Sequence, residues 1–159
     1  MRIGMLLDAV FPPDPRVENE AVSLIRAGHE VFLFSLNYDG QKAKEDWNGI
    51  EVRRYRATWF DYKMSALAYT FPFYTHSMAK KIQQFLKKNC IEAIHIHDMQ
   101  IAGAAFKANQ QFQLPVVLDL HENRPEIMKF YPHLQKFPGI LLIHPRKWKR
   151  KEKDFVKKS

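Results

Sequence analysis

Cysteine occurs once, at position 90, so neither an internal disulfide framework nor a multi-cysteine zinc site is available, and such sparing use suits a reducing cytoplasm. Long hydrophobic runs are missing as well, since nothing approaches the ~20 apolar residues of a membrane span. The N-terminus MRIGMLLDAVFPPDP has one basic residue and reaches Asp8 after a few apolar positions, far short of a secretory signal's apolar region. These absences predict a cytoplasmic protein that does not cross a bilayer. Glycine is missing where one chemistry would need it. The segment after the first apolar run, DAVFPPDPRVENEA (8–21), has none, whereas the usual dinucleotide site needs G-x-G-x-x-G there to bring backbone up to a pyrophosphate. NAD binding in that mode is disfavoured.

The 159 residues, 46% hydrophobic, suffice for one globular domain with its own core. The net charge of +8 is uneven: residues 146–158 hold eight basic and two acidic side chains, and the remainder is nearly balanced. A solvated helix face is one reading of that segment, and contact with an anionic membrane surface or partner is the other. Nucleic acid is the weakest reading, because no DNA- or RNA-reading motif accompanies the charge.

Four short apolar runs have the character of buried parallel strands: RIGMLL (2–7), EVFLFS (30–35), EAIHIH (92–97) and PVVLDL (115–120), with GIEVRRYR (49–56) as a more polar fifth. Helical spacing lies between them. RVENEAVSLIRAG (16–28) puts Val17, Ala21, Leu24 and Ile25 on one face, has acidic residues in its first turn and ends at Gly28. FYTHSMAKKIQQFLKKN (73–89) carries a stripe of Tyr74, Met78, Ile82, Phe85 and Leu86. MQIAGAAFKANQ (99–110) is rich in small residues and predicts close packing on a sheet. The segment 57–75, dense in aromatics, predicts a helix packed through them on the core, with a loop offering apolar surface as the alternative. The end, PGILLIHPRKWKRKEKDFVKKS (138–159), reads as a basic amphipathic helix. Alternating strands and helices with right-handed crossovers predict an α/β fold, a Rossmann-like doubly wound parallel sheet.

In such a sheet ligands bind beyond the carboxyl ends of the strands. Three strand ends then form one rim carrying Asp8, Arg16, His97, Asp98, His121 and Glu122. Arg16 beside a helix N-terminus suits a phosphate or carboxylate, or simply pairs with a neighbouring acid. His95, His97, Asp98, His121 and Glu122 are all metal-ligand types, but no two histidines show the helical spacing of H-E-x-x-H, and His95 lies deep enough in its strand to be a core histidine. No metal site is expected. Neutral histidine and carboxylates hydrogen-bond hydroxyl groups, so the rim also fits one wall of a sugar site.

The order FPPDPRVENEA, AGHEV, HIHD and DLHENRPE, running through essentially the whole chain, resembles the N-terminal half of a family 4 glycosyltransferase of the GT-B fold. The resemblance implies a retaining, hexosyltransferase-type enzyme of two Rossmann-like domains, the first mainly for the acceptor and the second for the nucleoside-diphosphate sugar. Residues 1–159 are then the acceptor-side domain, without the C-terminal donor-binding domain, and inactive alone. It further implies His121 against the transferred sugar with Glu122 beside it as the catalytic pair. Pro15, Arg16, His97, Asp98 and Asn123 are implied as donor- or acceptor-binding residues. The Gly-Gly pair that many relatives carry after the first strand is absent here.

No cofactor is implied, the nucleotide sugar being a co-substrate. The implied setting is cell-surface polysaccharide synthesis in the cytoplasm, on a glycan or lipid-linked acceptor, with peripheral contact at the inner membrane face through 146–158 and no nucleic-acid partner. Two rival readings stay open: a glycan-binding module without chemistry, and half of a GT-B sugar-nucleotide epimerase.

Overall fold

A computed structural model describes residues 1–130 and 143–159. Six strands form one sheet: β1 (Arg2–Leu7), β2 (Glu30–Asn37), β3 (Lys44–Trp47), β4 (Ile50–Arg56), β5 (Ala93–His97) and β6 (Val116–Asp119). Their spatial order is β3-β4-β2-β1-β5-β6, all neighbours parallel except the antiparallel β3–β4 edge. The helices are α1 (Pro15–Arg26), α2 (Trp59–Ser65), α3 (Phe73–Lys88), α4 (Met99–Asn109), the short α5 (Arg124–Ile127) followed by a 3-10 turn, and α6 (Pro145–Val156). The predicted α/β class and parallel sheet are therefore present. The expected terminal helix begins at Pro145, and the part predicted over 138–142 lies outside the described residues.

Strand alternation sorts the core into two clusters. Ile3, Met5 and Leu7 of β1 join Val31, Leu33, Ile50 and Val52 beneath Val17 and Ala21 of α1. The opposite face is larger: Leu6, Phe32, Phe34, Leu36, Ile94 and Ile96 pack under α3 and α4. Gly4 explains how closely α3 approaches. A Cβ there would lie 3.0 Å from Phe85 and 2.9 Å from Ile91, so a glycine inside the strand admits both side chains. On that face Phe34 stacks on Tyr55 with centroids 4.7 Å apart and meets Phe85 edge-on at 5.7 Å.

The aromatic segment divides into two parts. Thr58 and Asp61 form a capping box that starts α2, yet α2 buries no residue, and Trp59 and Phe60 are 73% and 66% exposed. The expectation of a helix packed through its aromatics fails there: Trp59, Phe60 and Tyr62 all stand on the exposed surface of α2. It holds further along, where Tyr69 and Tyr74 enter the core. The small residues of α4 serve helix neighbours as much as the sheet, since Gly103 leaves room for the Tyr69 ring, 3.0 Å from a would-be Cβ. Trp148 of α6 meets Tyr69 edge-on at 4.7 Å and Phe155 stacks on Phe106 at 5.1 Å. The apolar stripe of this basic helix is thus spent on the core.

Candidate functional site

The strand order runs outward one way from β1 through β2 and the other way through β5, and this reversal of order between parallel β1 and β5 opens a crevice at their carboxyl ends. Asp8 follows β1 at that point and accepts a hydrogen bond from the buried Tyr74 hydroxyl. Burial raises its pKa to about 7, with nearby Asp98 adding to the rise and the Tyr74 donor and Arg124 opposing it. Near neutrality Asp8 therefore divides between an acid that donates and a carboxylate that accepts. It lines a cavity of about 440 Å³ together with Tyr38, Tyr62, Lys63, Gln100, Arg124 and Met128. Cations, a titrating carboxyl and aromatic walls together suit a hydroxyl-rich or anionic ligand.

The loop after β1 is built to be held in place. Peptide bonds before Pro12 and Pro13 are cis. The guanidinium of buried Arg54 donates to the Phe11 carbonyl at 2.9 and 3.0 Å, to the Lys42 carbonyl at 3.0 Å and to Glu45 at 2.5 Å. Asp14 then caps α1 by accepting from the Val17 amide at 3.2 Å, and Pro15 occupies the first turn, where its missing N–H costs nothing. Arg16 reaches Asp14 at 3.3 Å and Asp98 at 3.5 Å. Asp98 itself has φ +74° and ψ 153°, a region disfavoured for any side chain by about 1–3 kcal/mol. Its amide donates to the Asp119 carbonyl at 3.1 Å, which helps hold it there.

On the α1 side of the sheet a second cluster forms. His95 and His97, alternating with buried Ile94 and Ile96, project toward Glu20 of α1, whose Oε2 lies 3.6 Å from His95 Nε2 and 3.7 Å from His97 Nδ1. Asp119 Oδ2 stands 3.9 Å from His97 Nδ1 and 2.6 Å from His121 Nε2. The His97 and His121 rings are parallel, 6.2 Å apart. The His97 side chain is 0% exposed, and neither of its ring nitrogens has a hydrogen-bond partner. Burial, then the neighbouring His95, lowers its pKa to about 3, so it is neutral at physiological pH. Burial also lowers His95, while burial and the Asp119 charge raise Glu20.

The structure brings together Arg16 with Asp98, and His97 with His121. It separates others. His97 is buried behind the rim instead of lying on its surface. The group that contacts His121 is Asp119; Glu122 is exposed and pairs with Arg124 at 3.1 Å. The Asn123 carbonyl accepts from the Glu126 and Ile127 amides as α5 begins. Sequence reasoning about the site left out Glu20, Asp119, Tyr74 and Arg124. A strand end at Asp119 could have marked that residue, but the arrival of Glu20 depends on how α1 crosses the sheet.

No curated protein matches the chain in sequence. Among solved structures, sucrose-phosphate synthase from Thermosynechococcus elongatus shares the fold, with a TM-score of 0.65 and 14% identity over 98% of this chain. The chain spans 40% of that protein's length, and the shared architecture is that of a Rossmann-like half of a GT-B enzyme. In sequence, residues 13–151 match the glycosyl transferase 4-like domain. With most of its length so matched, and with its polar groups gathered at the carboxyl edge of a doubly wound sheet, the chain belongs to the glycosyl transferase 4-like family.

Proposed function

We propose that this chain is the acceptor-side domain of a retaining hexosyltransferase that moves a sugar from a nucleoside diphosphate to a glycan or lipid-linked acceptor in cell-surface polysaccharide synthesis. The observation that carries this reading is the family match over 13–151, taken with the cavity at the β1–β5 switch point. The acceptor lies in that cavity, its hydroxyls bonded by Asp8, Gln100 and Arg124 and its ring faces against Tyr38 and Tyr62. His121, contacted by Asp119 at 2.6 Å, lies against the transferred sugar. Glu122 is the second catalytic candidate. Arg16 and Asp98 border the crevice from α1 and α4, with Pro15 and Asn123 shaping the two loops and His97 supporting His121 from behind. The domain contributes by holding the acceptor hydroxyl in line with the anomeric carbon, which lowers the entropic part of the barrier. Transfer requires no cofactor.

The setting is the cytoplasm. No helix among the described residues is long and apolar enough to cross a membrane. Peripheral contact rests on the outward basic face of α6, whose apolar side chains already pack inward. Cosedimentation with anionic vesicles that fades as salt rises would support it, and salt-independent or absent binding would remove it.

The test of function is a transfer assay on the full-length natural protein with a panel of nucleotide sugars and glycan acceptors, reading product anomers by NMR. His121→Ala should lower kcat at least ~100-fold while donor affinity stays within about twofold of the parent. Comparable loss of both would make His121 structural. Turnover of the nucleotide sugar without acceptor would favour an epimerase, and glycan binding without turnover a recognition module.

A further inference from the structure

We propose that Glu20, His95, His97 and Asp119 form a binding site for one divalent transition-metal ion, with zinc the best chemical fit. One donor atom from each lies within 4.8 Å of the other three. The alternating geometry of β5 places residues 95 and 97 on the same side, α1 brings Glu20 across them, and β6 presents Asp119 opposite His97 in register. Tetrahedral zinc with ligand bonds near 2.0–2.1 Å holds its donors about 3.4 Å apart. Three of the six separations, 3.6, 3.7 and 3.9 Å, exceed that by a few tenths, and all six lie within 4.8 Å, so side-chain rotations must draw the wider pairs together when the ion binds.

A second observation is independent of the spacing. His97 is wholly buried and aimed into the cluster, yet both its ring nitrogens lack a hydrogen-bond partner, as does Glu20 Oε2. A buried polar atom without a partner is disfavoured and calls for an explanation; a metal ion supplies one for His97 Nδ1 and Glu20 Oε2 together. Two imidazoles and two carboxylates match the borderline softness of zinc better than magnesium or calcium, which take oxygen donors. The nearby cation Arg16 is engaged by Asp14 and Asp98. His121 Nε2 lies 2.6 Å from Asp119 Oδ2 and is itself among the buried atoms without a hydrogen-bond partner, so it borders the site as a neighbour of its carboxylate. Four protein donors close the coordination shell, so the ion is structural: it ties α1 to β5 and β6 behind His121.

Its test is titration of the chelator-treated chain with Zn²⁺ alone, followed by Co²⁺ as a spectroscopic probe. One Zn²⁺ should bind per chain and raise Tm, Co²⁺ should give the intense visible bands of tetrahedral coordination, and the side-chain NMR signals of His95 and His97 should shift together. Glu20→Gln and His95→Gln should each weaken Zn²⁺ binding at least ~100-fold, beyond the loss of an outer-shell contact, while His29→Gln and His76→Gln leave it unchanged. Octahedral Co²⁺ spectra, no stoichiometric Zn²⁺ binding, or affinity unaffected by both ligand substitutions would overturn the site. Should a variant fail to fold, the Co²⁺ spectrum and histidine shifts of the parent chain decide the question.

Discussion

The two faces of the sheet solve different problems. Under α3 and α4 the packing is broad and aromatic, and the polar groups that reach it concentrate near its carboxyl end in the Asp8–Tyr74 pair and the cavity above. Under α1 the apolar cluster is smaller, and beyond it the same face turns polar inside the strands themselves, with Arg54 continuing the row of Ile50 and Val52 on one flank and His95, His97 and Asp119 on the other. Val117, in register with His95, is 62% exposed. One face is organised for cohesion. The other gives up apolar area to hold the rim loop and a histidine–carboxylate cluster in place.

That contrast breaks most severely on the aromatic face. Phe85 is fully buried, touches Phe34 and Tyr55 edge-on and closes over Gly4. Phe85→Ala should lower unfolding free energy by about 3–5 kcal/mol, read by urea denaturation; a loss under about 1 kcal/mol would show that the face closes around the gap and that cohesion resides elsewhere. On the α1 face the corresponding weak point is polar. Arg54→Ala should cost about 3 kcal/mol by stripping the Phe11 carbonyl and Glu45 of their donor. Arg54→Lys should recover only part of it, because one ammonium cannot match the forked guanidinium that serves three acceptors at once. Full recovery by lysine would reduce Arg54 to a simple charge.

Legibility in the sequence follows the same division. Buried strands read clearly because their apolar runs are short and bounded, so β1, β2, β5 and β6 lie within two residues of the expected limits. β3 was missed since KEDW has no apolar alternation, although the Asn48–Gly49 turn that joins it to β4, with φ of +53° and +85°, is the usual hairpin signal. Nothing in GIEVRRYR marks Arg54 as a core residue, yet it is 6% exposed. The rim was partly legible: a fold rule places Asp8, Arg16, Asp98 and His121 at strand ends without knowledge of any contact. Glu20 was not, because its meeting with His95 and His97 is a long-range consequence of how α1 lies over the sheet, and no local spacing encodes that.

The finest contrast is one of sign, between Asp8 on one face and His97 on the other. The raised pKa of Asp8, about 7 against an ordinary 3.8, means the folded chain binds more protons than the unfolded one between about pH 4 and 7, so this group's contribution to stability declines as pH rises through that window. His97, lowered to about 3 from 6.5, does the reverse: the unfolded chain binds more protons between about pH 3 and 6.5, and the contribution increases with pH. Each slope reaches at most about 1.4 kcal/mol per pH unit, and over the shared window they oppose one another. Glu20, raised, sides with Asp8, and His95, lowered, sides with His97. In chelator-treated protein Asp8→Asn should therefore expose a stability that climbs from pH 4 to 6.5, and His97→Asn one that falls toward pH 7. Unfolding free energies measured at half-unit pH steps distinguish the two profiles. If Asp8→Asn left the profile of the parent chain unchanged, the carboxyl at the end of β1 would ionise as it does in water, and its placement as an acid poised at neutrality in the acceptor cavity would fall with it.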